Sequence, residues 1–355
     1  MMSKSEAVGF INVTRQCNVD CKRCYLTEAN RAAGERLPTY TLAAFLTSDF
    51  WADRPVTLIW EGGEPTIVGP SRMQLYVDQA RGLLPHASQT MVTNCFSVPN
   101  WLIDLSHSDF NGQVETTFAL GHKFSLSGSE DLYTRRFLTG LNRFWDAGVV
   151  CTVNVELNSE TIKRGPTALA ELMLSTKAKV WEFDISVDFR TFLAKPIYQA
   201  SSAPELPLTA SYAAVWTFLH TLEATHGRQL RDAGITIGAL EQVVGEANNQ
   251  FNVLSEDRFL TLNPDGSVTT NPLYSDLEGT FLGNLQDAPL DELLSSPRRL
   301  ARVIAERRRL LPCRSCPHFS YCSGGPAHVP VTDGSGECAG GKGMWDLLLE
   351  KMRCA

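Results

Sequence analysis

The ten cysteines of this 355-residue chain are gathered near its two ends. Cys17, Cys21 and Cys24 lie within eight residues of each other, and five more fall in the last 43 residues. The segment between Cys151 and Cys313 contains none. In a chain whose thiols stay reduced, cysteines clustered in this way indicate metal ligation rather than disulfides. The fold must therefore bring two sets of thiolates together.

Composition places the chain among ordinary globular proteins, with 43% hydrophobic and 20% charged residues. These values exclude a disordered or low-complexity protein. A net charge of −7 disfavours generic binding to nucleic acid or to anionic membranes. No apolar run is long enough for a membrane span, and the first nine residues lack a signal-peptide core. We therefore expect a cytoplasmic protein with neither nucleic acid nor membrane as a partner.

The first half of the chain alternates strand-like runs with helical patterns, which is typical of βα units around a parallel sheet. Strands are predicted at 8–14, 55–60, 89–93, 113–119, 149–156 and 180–189. Helices are predicted at 39–51, 71–84, 100–107, 130–147 and 166–176. Six such units predict an α/β fold, a partial (β/α)6 TIM-like barrel, followed by a small Cys-rich C-terminal domain.

The second half is less regular. Its predicted elements are a loop at 195–207, a helix at 211–226, a hairpin at 258–268, a basic helix at 289–309 and a short helix at 345–351. The basic helix is interpreted as a solvated face, with a substrate-docking face as the alternative. The predicted domains are a barrel at 5–195, a helical bridging region at 196–257 and a Cys-rich domain at 258–355.

The first cysteine set has the pattern CxxxCxxC and is followed by Tyr25. It comes directly after the first predicted strand, where barrel enzymes build their active sites. Three thiolates can hold three irons of a [4Fe–4S] cube, which leaves the fourth iron open to a small molecule. A zinc site is the alternative, although zinc normally takes four protein ligands, or three and a water at a different spacing.

Gly62-Gly63-Glu64-Pro65 follows the second predicted strand. Glycines allow close backbone approach, the proline fixes the turn, and backbone carbonyls or Glu64 can receive an ammonium group. Together with CxxxCxxC, this segment resembles the radical S-adenosylmethionine (SAM) superfamily. The resemblance implies that the open iron binds the methionine moiety of SAM. One electron then cleaves the sulfonium and produces a 5′-deoxyadenosyl radical.

The same resemblance assigns roles at later strand ends. Thr93-Asn94 looks like the family's strand end near SAM, with a plain turn as the alternative. Thr117 lies in a polar segment resembling the one that contacts the ribose or carboxylate of SAM. Lys123 or Arg135 would neutralise that carboxylate, and the sequence does not choose between them.

The sixth predicted strand alternates polar with apolar residues, so that Asp184 and Asp188 share one face. Parallel sheets usually bury both faces. A polar face therefore predicts a lumen that binds substrate, and we take both aspartates as candidate catalytic residues. A half-exposed edge strand is the alternative.

The second cysteine set comprises Cys313, Cys316, Cys322 and Cys338, and the first three form CxxCx5C followed by Gly-Gly-Pro. By count alone, four cysteines suit a cube or a zinc ion equally well. The pattern from about residue 262 to 341 resembles the SPASM extension of radical SAM enzymes, which carries two auxiliary [4Fe–4S] clusters.

Three departures from that pattern are informative. Asn271 and Pro326 stand where the family has cysteines, and both missing cysteines serve the same auxiliary cluster. The four that remain look like the complete set for the other, so one auxiliary [4Fe–4S] cluster is expected. An acidic residue that acts as a base in sulfatase-maturing relatives is replaced by Pro272, which argues against oxidation of sulfatases.

The sequence thus predicts a radical SAM enzyme served by a reductant such as flavodoxin or ferredoxin. Such relatives mostly modify ribosomally made peptides by crosslinking, oxidation or epimerisation. Because the barrel is predicted to begin almost at residue 8, we expect no fused N-terminal leader-recognition domain. The alternatives are an enzyme acting on a sugar, nucleoside or antibiotic precursor, and a non-enzymatic electron carrier or zinc-stabilised interaction protein. In an epimerase, Cys354 would be the hydrogen-atom donor, because a C-terminal tail can reach the barrel mouth.

Overall fold

The computed structural model describes residues 5–189, 207–241, 256–320, 322 and 324–354, the last four as backbone only. The strands are β1 (Ala7–Thr14), β2 (Val19–Cys21), β3 (Val56–Gly62), β4 (Ser88–Met91), β5 (Gln113–Phe118), β6 (Lys123–Ser125), β7 (Val150–Leu157), β8 (Val180–Ile185), β9 (Thr236–Ile237), β10 (Phe259–Leu262), β11 (Ser267–Thr269) and β12 (Gly283–Asn284). The helices are α1 (Glu28–Ala32), α2 (Thr39–Leu46), α3 (Pro70–Leu83), α4 (Asn100–Asp109), α5 (Glu130–Asp146), α6 (Ser159–Leu174), α7 (Tyr212–Asp232), α8 (Leu290–Leu294), α9 (Pro297–Arg309) and α10 (Lys342–Cys354).

Among the described residues, eight strands run parallel in the order β10-β1-β3-β4-β5-β7-β8-β9, and six of them correspond to the strands predicted in the first half of the chain. This confirms the predicted α/β class. One sheet has the order β12-β11-β10-β1-β3-β4 and another has β5-β7-β8-β9. A parallel bridge between Val92 and Glu115 joins them, with Thr93 N donating to Glu115 O at 3.0 Å. The strand ends that carry the sequence motifs therefore lie at one edge of a continuous row.

The predicted hairpin is present as β10 and β11, and β10 also pairs in parallel with β1. The sequence did not predict that second pairing, which joins Val8 to Phe259. It places the C-terminal part of the chain beside the strand that leads into the first cysteine set.

Burial follows the alternation of the strands. On β3, Leu58 and Trp60 are fully buried, and the Trp60 ring stacks on Tyr76 of α3 with 6.2 Å between centroids. Burying a large apolar side chain contributes about 1.5–3 kcal/mol. Ile59 and Glu61 point the opposite way and line a cavity. The helices thus cover one face of the strands, and the other face is left for a site.

Several element bounds differ from the prediction for local reasons. The helix predicted at 39–51 ends at Leu46 and is followed by a short 3₁₀ helix, and the one at 166–176 begins at Ser159 with a break at Gly165. The helix at 211–226 continues to Asp232, and the last helix begins at Lys342. The loop predicted at 195–207 lies, apart from residue 207, outside the described residues, as does the first domain boundary.

The predicted basic helix is two helices, because Ser296 caps a new helix by accepting a hydrogen bond from Arg299 N. The solvated-face interpretation holds for Arg307 and Arg308 but is wrong for Arg302. Arg302 is 1% exposed and pairs with Glu256 at 2.7 Å. Among the described residues, no helix is long and apolar enough to cross a membrane.

Candidate active site

A cavity of about 510 Å³ opens where the strand ends meet. Its volume lies in the range of small-molecule sites. Ten of the residues that the sequence singled out line it, namely Cys17, Cys21, Cys24, Gly62, Gly63, Thr93, Asn94, Thr117, Lys123 and Asp184. The fold therefore brings together motifs that are separated by up to 167 residues in the chain.

The first cysteine set lies on a loop held by a small sheet that the sequence did not predict. Strand β2 pairs antiparallel with β6, and the register places Cys21 opposite Lys123. Cys24 N donates to Cys21 O at 3.2 Å, so the loop turns between these two ligand candidates. The pairing fixes the cysteine loop against the segment that carries Lys123.

The three cysteine thiols do not ionise readily without a positive charge nearby. Burial raises the pKa of Cys17 and of Cys21 to about 12, and that of Cys24 to about 11. A buried thiolate therefore needs a cation, and iron supplies one when it binds the sulfur. This donor set fits an iron–sulfur cluster.

Across the described part of the chain, no three His, Cys, Asp or Glu side chains are placed to hold a single ion. A zinc ion needs all its sulfur ligands at about 2.3 Å. A cube instead takes each cysteine on a different iron and spreads the sulfurs apart.

The two glycines are needed because β3 approaches the cysteine loop. A Cβ atom on Gly62 would lie 2.1 Å from Thr14 O, and one on Gly63 would lie 2.3 Å from Gln16 O. Gly63 N donates to Thr14 O at 2.9 Å, and Glu64 N donates to Gln16 O at 2.8 Å. The close approach predicted from the glycines is made to the chain's own backbone.

The Glu64 carboxylate faces away from the cavity. It is 1% exposed and accepts hydrogen bonds from Thr66 N (3.1 Å), Thr66 Oγ1 (2.7 Å), Thr93 Oγ1 (3.0 Å) and Asn94 N (2.8 Å). Pro65 is buried at the start of the 3₁₀ helix behind it. Glu64 therefore ties the end of β3 to the end of β4, and its carboxylate is already occupied.

Asn94 connects the end of β4 to the cysteine loop. Its Nδ2 donates to Asn18 Oδ1 at 2.7 Å and lies 3.8 Å from Cys17 Sγ. Its Oδ1 accepts from Phe96 N at 2.9 Å, which fixes the turn after the strand. Thr93-Asn94 therefore forms a turn and also lines the cavity, so the two interpretations of this segment are compatible.

Lys123 reaches the cavity, and Arg135 does not. Lys123 is buried, and its Nζ donates to Thr117 O at 2.5 Å and to Thr117 Oγ1. The Arg135 side chain is 67% exposed on α5 and pairs with Asp131 at 2.5 Å. Of the two cations that the sequence left open, the structure brings only Lys123 to the site.

The two candidate catalytic aspartates are separated because β8 ends at Ile185. Asp184 lines the cavity, where desolvation and then the charges of Glu156 and Glu115 raise its pKa to about 6. Asp188 lies beyond the strand end, with its N–H donating to Pro207 O at 2.7 Å, and does not line the cavity. The side chain of Cys354 lies outside the described residues.

Sequence reasoning missed a contact between the cysteine loop and β7. His122 Nε2 accepts from Arg23 N at 2.9 Å, so the proton of the neutral ring lies on Nδ1 and is donated to Glu156 at 2.6 Å. Ser186 Oγ also donates to Glu156. His122 has no motif around it, and this role becomes visible only through tertiary pairing.

The second cysteine set also comes together. The charge of Cys338 contributes, after burial, to raising the pKa of Cys313 and of Cys322, and Cys316 acts likewise on Cys313 and Cys338. A Cβ atom on Gly340 would lie 2.6 Å from Cys322 Sγ. Glycine therefore gives the Cys322 sulfur room, and the four cysteines are near enough for their charges to affect one another.

The positions of the two absent cysteines face the main cavity. Asn271, Pro272 and Pro326 all line it, together with Ala339 from the second cysteine loop. At the two positions where the SPASM pattern has cysteines, this chain has an amide, Asn271, and a proline ring, Pro326, at the cavity wall. The second cysteine loop is thus part of the same site.

No family model matches the chain, and a search of curated proteins finds no match by sequence. Solved structures do match. Native anSMEcpe with bound AdoMet superposes with a TM-score of 0.70 at 16% identity, covering 99% of this chain and 98% of that one.

A second match is Streptococcus suis SuiB bound to its precursor peptide SuiA, with a TM-score of 0.57 at 15% identity. It covers 94% of this chain and 76% of that one. Both neighbours are radical SAM enzymes of the SPASM type. The resemblance drawn from the sequence is therefore confirmed at the level of the fold, because this chain has the α/β fold of those enzymes.

Proposed function

We propose that this chain is a radical SAM enzyme. The observation that carries the proposal is the meeting of three strand ends around one cavity: the CxxxCxxC loop after β1, Gly62-Gly63 at the end of β3 and Thr93-Asn94 after β4. Parallel strands that carry chemistry at their carboxyl ends are the usual basis of such sites. An electron carrier would not need Gly62-Gly63 and Thr93-Asn94 beside its cluster.

Cys17, Cys21 and Cys24 would hold a [4Fe–4S] cluster with one open iron. When bound, this cluster and SAM supply an electron and a 5′-deoxyadenosyl radical that abstracts hydrogen from a substrate. The chain itself would position SAM and the substrate and shield the radical from solvent. The Gly62-Gly63 backbone, Thr93, Asn94 and Thr117 would bind SAM, with Lys123 as the cation for its carboxylate.

The finer architecture belongs to the same proposal. The six predicted strands would close into a partial (β/α)6 barrel within residues 5–195. Residues 258–355 would form the auxiliary-cluster domain, and the region 196–257 would connect it to the barrel. Cys313, Cys316, Cys322 and Cys338 would hold one auxiliary [4Fe–4S] cluster. The side chains of Asn271 and Pro326 at the cavity wall support a single auxiliary cluster, because neither offers a thiolate.

A peptide is the proposed substrate, modified in the cytoplasm with electrons from a flavodoxin or ferredoxin. Structures of anSMEcpe with the Cp18Cys peptide and of SuiB with SuiA support this class. A sugar, nucleoside or antibiotic precursor is the second candidate, because the cavity volume of about 510 Å³ also suits a small molecule. A short peptide gene next to this one would favour the first candidate.

Metal content tests the cluster assignment directly. We expect the anaerobically reconstituted protein to carry about eight iron and eight sulfide, because two cysteine sets each hold one cube. The measurement is a colorimetric iron and sulfide assay with zinc analysis. About twelve iron would show a further auxiliary cluster, and about four iron with bound zinc would make the C-terminal set a zinc site.

The reaction outcome is a separate proposal. If the product is an epimer, Cys354 returns a hydrogen atom to the substrate radical, and one electron from the flavodoxin or ferredoxin with one proton from water restores the thiol from the thiyl radical. Turnover in deuterated water then places one deuteron at the product carbon. Cys354→Ala should then lose that deuteron. A product without solvent deuterium and two hydrogens lighter than the substrate would reject the donor role and identify oxidation or crosslinking.

A further inference from the structure

Glu61 is a buried acid that neither the cluster nor the proposed SAM contacts use. The residue is 8% exposed, directly precedes Gly62-Gly63 and lines the cavity. Its Oε1 is buried and has no hydrogen-bond partner among the described residues. An unpaired buried carboxyl oxygen is costly, by about 1–3 kcal/mol or more, so a native structure normally provides a partner for it.

The register of the strands places a second acid at the same level. Trp60 pairs with Met91 across β3 and β4, and Val92 bridges to Glu115 of β5. Glu61, Val92 and Glu115 therefore form one layer of the inner face, with the small valine between the two acids. Asn154 Nδ2 donates to Glu115 Oε2 at 3.4 Å and orients the second carboxyl.

Apolar side chains border the two acids, and two more acids lie near Glu115, because its charge contributes to raising the pKa of Glu182 and of Asp184. Phe10, Ile59 and Phe259 line the same cavity. No ion pair to Glu61 or Glu115 occurs in the described ranges of the chain. Burial, and then the charge of Glu115, raises the pKa of Glu61 to about 8, and burial also raises the pKa of Glu115.

We propose that Glu61 and Glu115 form a subsite for a protonated nitrogen of the substrate, namely the ammonium or guanidinium group of a basic side chain in a peptide. A cation would provide the partner that the Glu61 oxygen lacks, and the apolar walls suit the methylene stem of lysine or arginine. An amino group on a small molecule has the same chemistry and is the other source. The inference rests on the proposed function and names its substrate class.

The test measures binding rather than turnover. The probes are acetyl-Gly-Gly-Lys-Gly-Gly-amide and its norleucine counterpart, titrated calorimetrically into reconstituted enzyme with SAM. We expect the lysine peptide to bind at least tenfold more tightly, and Glu61→Gln to bring the ratio near one. Glu171→Gln, which alters an exposed acid on α6, should leave the ratio unchanged.

A second pair of probes separates the two sources. Preference for glucosamine over glucose that is lost in Glu61→Gln, without preference between the peptides, would keep the cation subsite and assign it to a small amine. No preference within either pair would overturn the proposal, as would a preference that persists in Glu61→Gln. If Glu61→Gln does not fold, Glu115→Gln should reduce the ratio of the affinities for the lysine and norleucine peptides. An unchanged ratio in Glu115→Gln would also contradict the proposed subsite.

The proposal also predicts proton release. The groups facing Glu61 are Glu115 from β5 and Tyr25 from the cysteine loop, and the pKa of Tyr25 is raised well above 10 by burial and the charge of Glu61. With its pKa raised to about 8, Glu61 is mostly protonated at pH 7 and must ionise to pair with a cation. Binding should therefore release close to one proton at pH 7 and strengthen from pH 6 to 8, and Glu61→Gln should do neither. Equal affinity at both pH values would contradict the subsite.

Glu61 must also be distinguished from a ligand of SAM itself. Iron content and cleavage of SAM without substrate are therefore measured for Glu61→Gln beside the wild type. Loss of that basal cleavage with normal iron would assign Glu61 to the amino group of SAM and overturn the subsite. Failure of the subsite would leave iron content and SAM cleavage intact in the wild type, so it is distinguishable from failure of the proposed function.

Discussion

The Cys17→Ala/Cys21→Ala/Cys24→Ala variant is expected to form no 5′-deoxyadenosine from SAM under reducing, anaerobic conditions. All three half-buried cysteines lie in one loop that lines the cavity, and removing them leaves no sulfur there to hold an iron. The measurement is chromatographic detection of 5′-deoxyadenosine with dithionite as reductant. Iron should fall to about four per chain, because the C-terminal set remains.

The matched control removes three cysteines from the other set. Cys313→Ala/Cys316→Ala/Cys322→Ala should also fall to about four iron but retain cleavage of SAM without substrate, while losing product. If both variants lose the same amount of iron but only one loses SAM cleavage, the two cysteine sets have different functions. Retained cleavage in the Cys17/Cys21/Cys24 variant would refute the radical SAM assignment, and an insoluble control would give the C-terminal cluster a structural role.

The parts of the site that the sequence predicted are those encoded locally. Each predicted strand was recognisable from its own apolar run, and polar residues at consecutive strand ends must meet because parallel strands end at one edge. The resemblance to the radical SAM superfamily assigned Cys17, Gly62, Thr93 and Thr117 to one site, and the order of the strand ends agrees with that assignment. The cavity contains all four.

The parts that the sequence did not predict depend on pairing between distant segments. Nothing near Lys123 reveals that β6 pairs with the cysteine loop, so Lys123 and Arg135 looked equivalent until one was found in the cavity and the other on a helix surface. The partners of Glu64 could not be predicted for the same reason, since Thr93 and Asn94 are contributed by another strand end. Side-chain direction at a strand end is set by such contacts rather than by the motif.

Gly63→Ala should abolish at least 99% of SAM cleavage, a loss of about 2.7 kcal/mol in transition-state stabilisation if the cluster stays bound. The new Cβ would lie 2.3 Å from Gln16 O and 2.4 Å from Arg15 O, and both atoms are backbone. Since neither can rotate away, β3 and the cysteine loop must separate, and Cys17 and the Gly62-Gly63 edge move apart.

Gly82→Ala is the matched control for that change, because it makes the same substitution on α3, where a Cβ atom would meet nothing within 4 Å. Alanine is favoured over glycine in a helix by about 1 kcal/mol, so this variant should be as stable as the wild type or more so, with unchanged cleavage. Both variants are compared by 5′-deoxyadenosine formation and by iron content. A Gly63→Ala rate within twofold of that of Gly82→Ala would show that the contact between β3 and the cysteine loop does not position the SAM site.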